Sequence, residues 1–345
     1  MVRLKLANKF IVLIIFMLAC QNIFSQNVSK VGTTAASFLE IGAGASAIGM
    51  GGAFVGVAND ASALYWNAGG IAEFTQYEAI LVHTEWLAET SYDFAALVIP
   101  LGNFGNLGFS LTSLTMDDMK VTTVEKPDGT GEYFSASDIQ VGVSYARSLT
   151  DRFSIGFTAK YIEQKIYHMK ANAFAIDVGT KFRTDLLGGM IIGASISNFG
   201  TEMQLEGRDA RYYIRVNDTK QGSNDNVATS IEMDSWDLPL LFRIGVSTFV
   251  LSNDMYKFRV AADASVPNND YKSMNVGGEL CFLDFLFFRG GYNSLFLEDG
   301  EGGLSLGFGV NSKMVFSDAK VNFDYAYRDF GRLEGVHNFS VGIKF

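Results

Sequence analysis

The last eleven residues, Gly335-Val-His-Asn-Phe-Ser-Val-Gly-Ile-Lys-Phe345, alternate apolar and polar positions and stop on an aromatic residue. Side chains on a strand alternate between its two faces. Phe339, Val341, Ile343 and Phe345 therefore share one face, and Asn338, Ser340, Gly342 and Lys344 the other. In a water-soluble protein such a strand is an edge that invites aggregation. In an outer-membrane barrel it closes the wall with its apolar face in lipid. Those four apolar residues are the expected barrel-assembly signal.

The same period recurs along the chain. Fourteen runs are legible, at about 76–84, 92–100, 105–115, 138–148, 152–164, 173–183, 188–198, 239–250, 255–264, 273–283, 285–294, 302–313, 318–328 and 335–345. Lys320–Arg328 is a clear case: Val321, Phe323, Tyr325 and Tyr327 face one way, and Lys320, Asn322, Asp324 and Arg328 the other. The first two runs alternate poorly. Short links, such as Gly102–Gly105, the turn at Leu283-Asp284 and Met314–Ser317, take turns with long ones at 116–137 and 199–238. Outer-membrane barrels have short periplasmic turns and longer outside loops. The pattern predicts a 14-stranded antiparallel transmembrane β-barrel over residues 76–345, with both termini periplasmic.

The other end of the chain agrees. Arg3, Lys5 and Lys9 precede the apolar run Phe10–Ala19, the layout of a signal peptide, with cleavage expected near Ser25 so that residues 1–25 are removed. Leu18-Ala19-Cys20 offers a lipoprotein alternative, against which Met17 stands where Leu is usual. The whole chain has 27 Lys+Arg and 37 Asp+Glu; the leader takes away three basic residues and no acidic one, leaving a charge near −13. Such acidity argues against nucleic acid as a partner and leaves no basic amphipathic anchor for a membrane surface. Outer-membrane lipid is the expected surrounding on the strength of the strand pattern. Cys281 would be the one remaining cysteine, which excludes an intramolecular disulfide or a cysteine-based metal cluster.

Residues 26–75 do not read as wall. They are rich in Gly, Ala and Ser, and the inward sets of several strands are small as well, among them Gly142, Ser144, Ser154, Gly156, Gly193, Ser195, Ser305, Gly307 and Gly309. Small residues on both sides allow close packing, so an amino-terminal hatch inside the barrel is expected rather than an open pore. Its candidate residues are Gly49, Gly51, Gly52, Asn59, Asp60, Trp66 and Asn67. Asn59–Ser62 would cap a helix through Ala63 and Trp66. Gly42-Ala-Gly44-Ala-Ser-Ala47 only superficially matches a dinucleotide fingerprint, because no preceding strand is present to complete the unit.

The run Phe38–Asn67 resembles the amino-terminal motif of the PorV/PorQ family, a branch of the FadL-like outer-membrane barrels. Asn198-Phe-Gly-Thr-Glu-Met-Gln-Leu-Glu-Gly-Arg-Asp209 extends the resemblance. Trp66-Asn-Ala-Gly-Gly-Ile-Ala72 departs from it, since the family usually has Pro where Ala68 stands. The resemblance implies a part in type IX secretion: either binding the carboxy-terminal signal domain of exported cargo beside a large translocon barrel, as in PorV-like members, or work in a surface attachment complex, as in PorQ-like ones. It implies no cofactor. The alternative is a FadL-like transporter that passes fatty acids or other hydrophobic ligands.

Within the 40-residue link before Pro239, Glu206, Arg208, Asp209, Arg211 and Tyr212 are the docking candidates, and 217–230 is expected to be a disordered, solvated insertion. Inward charges of both signs, including Lys160, Asp177, Lys181, Arg243, Arg259, Asp263, Glu279, Arg289 and Asp324, suit a salt-bridged interior better than an ion filter. His83 at a strand top, His168 in an outside loop and His337 on the lipid face are too scattered to serve catalysis or hold a metal.

Overall fold

The computed structural model describes residues 31–215, 226–297, 300, 302–313 and 319–345. The leader and the Met314–Ser317 link lie outside them. Fourteen long strands form the wall: β1 (Glu78–Trp86), β2 (Thr90–Pro100), β3 (Asn106–Met116), β4 (Ala136–Ser148), β5 (Phe153–Ile166), β6 (Met169–Arg183) and β7 (Ile191–Gly200), then β8 (Leu241–Ser252), β9 (Tyr256–Pro267), β10 (Ser273–Phe282), β11 (Leu286–Leu295), β12 (Leu304–Lys313), β13 (Lys320–Asp329) and β14 (Gly335–Lys344). Every neighbouring pair in chain order is antiparallel, and β1 pairs with β14 from Glu78↔Lys344 to Glu85↔His337, so the sheet closes on itself. Full closure removes the edges that the opening alternation would otherwise expose.

β1 and β2 form where the alternation was poor, and the reason is what they enclose. Their inward residues Ile80, Val82, Tyr92, Phe94, Ala96 and Val98 are themselves apolar and buried. They pack on Phe38, Leu39, Ile41, Leu64 and Ile71 of the amino-terminal segment. With Leu81, Leu97 and Ile99 on the outer face, both faces read as apolar. On β10 to β13 the inward positions are largely polar or glycine, among them Asn275, Glu279, Arg289, Asn293, Ser305 and Asp324, and the contrast is sharper.

The two ends of the barrel differ. At the terminal end, Tyr77 and Phe345 meet and the links are short; Leu283 and Asp284, with φ of 55° and 54°, make the tight turn between β10 and β11. At the loop end lie the long link between β7 and β8 and a two-stranded ribbon of Arg211–Ile214 with Val227–Ser230. That ribbon corrects the expectation of disorder for 227–230: Val227 pairs with Ile214 and Ser230 with Arg211. Residues 216–225 lie outside the described set.

Residues 31–77 run through the inside of the barrel, and the segment is called the plug for that position. Ala35 N–H donates to Asp237 O and Ala36 N–H to Gln164 Oε1, both at the loop end, and Asn269 Nδ2 donates to Thr34 and Glu40 there. The segment then makes two short helices, α1 (Ala45–Gly49) and α2 (Ala63–Trp66), and leaves at the terminal end into β1. The expectation that both ends of the chain share one side therefore does not extend to residues 34–40, which lie opposite Phe345.

Candidate functional site

Wall side chains hold the plug by its backbone. Asp263 Oδ2 on β9 accepts from the N–H groups of Phe54 and Val55 at 2.7 and 2.8 Å. Ser340 Oγ on β14 accepts from Ala45 N–H at 2.7 Å, and Ser247 Oγ on β8 donates to Gly56 O at 3.0 Å. Asn106 Nδ2 on β3 reaches the carbonyls of Ile71 and Phe74. At the terminal end Glu78 accepts from Ala61 N–H at 3.0 Å and from Lys344 Nζ at 3.0 Å. A backbone buried without such partners would lose several kcal/mol, so these acceptors and donors specify where the segment sits.

The sequence-predicted plug residues contribute in different ways. Gly49 lies against Gly307 of β12, where an added Cβ would stand 2.9 Å from the Gly307 Cα. Gly51 has φ +66°, and its Cβ would fall 2.6 Å from the Tyr292 nitrogen on β11; Gly52 has φ +77°. Glycine is the residue that meets both demands, positive φ and close backbone approach. Trp66 is buried and donates from Nε1 to Ala43 O at 2.8 Å. Asn67 is 1% exposed and spends its amide fully: Nδ2 to Val55 O and Thr180 O, each at 2.9 Å, and Oδ1 from Gly69 N–H at 3.0 Å. Asp60 accepts from Ser46 Oγ and Ser62 Oγ, both at 2.5 Å, and from Ser62 N–H. Ser62, the residue before α2, makes no side-chain capping bond to the helix, its hydroxyl being given to Asp60 instead. Asn59 is exposed and stands apart from this network.

Interior charges tie strands together. Lys160 and Asp177 pair at 2.5 Å across β5 and β6. Arg289 reaches Glu279 at 2.8 Å and Asp324 at 2.6 Å. Arg243 stacks its guanidinium 5.2 Å from the Tyr65 ring and 5.1 Å from the Trp66 ring, and donates to Tyr65 Oη. Sequence reasoning placed Asp263 and Arg243 in an interior that holds the hatch, but did not show which atoms of the segment they meet. The only available signal was their inward register opposite a Gly-rich segment.

The docking candidates separate into two groups. Glu206 and Gly207 pair with Lys170 and Met169 at the top of β6. The Arg208 guanidinium lies 2.8 Å from the His168 ring, and Asp209 lies 3.1 Å from it, so this part of the link is folded onto the β5–β6 turn. Arg211 and Tyr212 stand instead on the projecting ribbon, where Tyr212, Tyr213 and Ile214 are 51%, 72% and 46% exposed. Neighbouring residues of a strand point to opposite faces, so the ribbon presents apolar surface on both. The histidines remain scattered: His168 is at the loop end, His337 meets Tyr325 Oη on the outer wall, and His83 pairs with Asp93 on the outer face of β1 rather than at its tip.

Closed antiparallel wall, apolar exterior and paired polar interior together define a transmembrane β-barrel of the outer-membrane class. The family model "Type IX secretion system protein PorV" matches residues 24–217, more than half of the chain. The chain belongs to the PorV family. Among solved structures it is similar to the Ralstonia pickettii toluene transporter TbuX, at 12% identity and a TM-score of 0.52 over 88% of this chain and 97% of that one. The Pseudomonas putida toluene transporter TodX, at 11% identity, gives 0.53 over 88% and 96%. The monoaromatic hydrocarbon channel CymD gives 0.53 at 11% identity over 88% and 97%. At these identities the likeness is one of fold, a FadL-like barrel. No curated protein gives a sequence match to the chain.

Proposed function

We propose that this barrel serves type IX secretion through protein contacts at its loop end, binding cargo signal domains or docking to the translocon or attachment complex, with its terminal end in the periplasm. One observation carries the reading: the lumen is threaded by a segment pinned backbone to wall, while the loop end offers the ribbon of Arg211–Ile214 and Val227–Ser230 with aromatic and aliphatic side chains exposed on both faces. Exposed apolar surface of that kind is expected where another protein is to be met. Tyr212 and Tyr213 are amphipathic anchors of the sort that dominate binding energy.

The test is a pull-down in mild detergent, with mass spectrometry of what is retained. The native barrel should retain a large outer-membrane barrel or secreted proteins, and the Tyr212→Ser, Tyr213→Ser double variant should lose them while still migrating as a folded barrel. Recovery of no such partner, with a hydrophobic ligand bound at stoichiometric level, would favour transport of small molecules instead.

A further inference from the structure

Most of the outer wall is aromatic or aliphatic; Phe174, Ile244, Phe288, Leu306 and Phe323 are each more than a third exposed. Strands β1, β2 and β3 break that pattern toward the loop end. Register sets His83, Asp93 and Ser113 side by side in one row and Glu85, Ser91 and Thr115 in the next. All six point outward, because the residues that alternate with His83 and Asp93, namely Val82, Thr84, Tyr92 and Phe94, are buried inside. His83 Nδ1 lies 2.8 Å from Asp93 Oδ1, with the two side chains 52% and 54% exposed. Asp93 engages one ring nitrogen and leaves Nε2 as the atom that can meet a partner.

Next to this polar block the wall is hollow. Ala95 and Ser113 are short, and between Leu81, Leu111, Phe339 and Val341 they leave a concavity of about 350 Å³ on the outer face. The block cannot simply stand clear of the membrane. β1 has 9 residues, against 14 in β5 and 15 in β6. At about 3.3 Å per residue and a tilt of about 40°, β1 reaches roughly 23 Å along the barrel axis, no more than the apolar band of roughly 25 Å. His83 lies three residues below the end of that short strand. A charged pair facing lipid is costly and marks a functional surface.

We propose that the outer face of β1 to β3 is seated against a second integral outer-membrane protein, which places an apolar side chain in the hollow beneath His83 and a basic or hydrogen-bond-donating group against Asp93 and Glu85. Charge decides between protein and lipid here. The Asp93 carboxylate on the rim of the hollow and that of Glu85 in the next row repel the phosphate of an anionic lipid headgroup and attract Lys or Arg of a protein wall. The inference rests on the protein-contact reading above and assigns it a face in the membrane, separate from the ribbon at the loop end.

The test uses the full-length protein in its native outer membrane, with a photo-crosslinking amino acid in place of Leu81 or, as control, of Ile244 on β8, which is seven strands away. The expected result is an adduct from position 81 with one integral outer-membrane protein and lipid adducts alone from position 244. Adding His83→Leu and Asp93→Leu should lower the protein adduct about tenfold, the effect of losing roughly one hydrogen-bonded contact, with barrel level and heat-modifiable migration unchanged. Lipid adducts alone from position 81, or a protein adduct indifferent to the double substitution, overturns the assignment. The outcomes separate the two readings. Lipid alone at position 81 in a strain whose secretion needs this protein removes the face and keeps the function. A pair-dependent protein adduct in a strain that secretes normally without this protein keeps the face and removes the function.

Discussion

Tyr77 and Phe345 close the barrel: each donates its backbone N–H to the other's carbonyl at 3.0 Å, and their rings stack with centroids 5.5 Å apart. The β1–β14 seam thus continues past the strands proper to the last residue, with Phe339, Val341, Ile343 and Phe345 all on its outer face.

Replacing Phe345 with Ser removes the stacked ring and the aromatic end of the apolar face. Insertion should suffer more than the fold of barrels already inserted. The amount of heat-modifiable barrel in isolated outer membranes reports this, and normal levels would count against a role for the last residue.

Asn67→Ala strips two carbonyls and one N–H of their partners at a buried position. Three hydrogen bonds at about 1 kcal/mol each give a loss on the order of 3 kcal/mol. Urea unfolding in detergent micelles measures it. Asn59→Ala, at an exposed position outside the network, should change stability by less than about 0.5 kcal/mol.

Gly51→Leu puts a side chain where the Tyr292 backbone stands and in a conformation that L residues rarely adopt. The plug should be expelled from β11 with the wall intact. Planar bilayers should then show steady conductance for the variant and silence for the native barrel; conductance of equal size in both would mean that the plug does not seal.

Glu40 anchors the loop end of the plug through Asn269 Nδ2 at 3.1 Å. Burial raises its pKa above the ordinary 4.5, with the Asn269 hydrogen bond pulling the other way. A carboxyl raised in the folded state binds more protons folded than unfolded, so its contribution is full below about pH 4.5 and is lost as pH rises through the raised value. Glu40→Gln should flatten this part of the pH profile and protect the segment near residue 40 from proteolysis at neutral pH; a profile unchanged by the substitution would remove Glu40 as its source.

Most of the wall was legible because each strand must satisfy two solvents at once. Where the lumen is polar, as at Lys320–Arg328, period two announced the strand and its register, and each of the fourteen spans falls within four residues of its observed ends. Where the plug is apolar, as beside Ile80 and Phe94, the contrast vanished and only link lengths carried the count. The glycines of the motif were visible, but not which wall atoms they approach. The path of the plug was hidden too, since nothing in residues 34–40 says which mouth they occupy until Asn269 and Gln164 are placed beside them. The ribbon at 211–214 and 227–230 was masked by its polar neighbours.

That path has a consequence for how the molecule is made. The segment enters at one mouth and leaves at the other directly into β1, and the final strand completes the cylinder around it. It is a thread wrapped by its own wall rather than a stopper pressed in from one side. Withdrawing it from a closed cylinder means drawing it out through the loop-end mouth while its other end stays sewn to β1. Complete withdrawal of the thread therefore begins with release of residues 34–40 from Gln164 and Asn269.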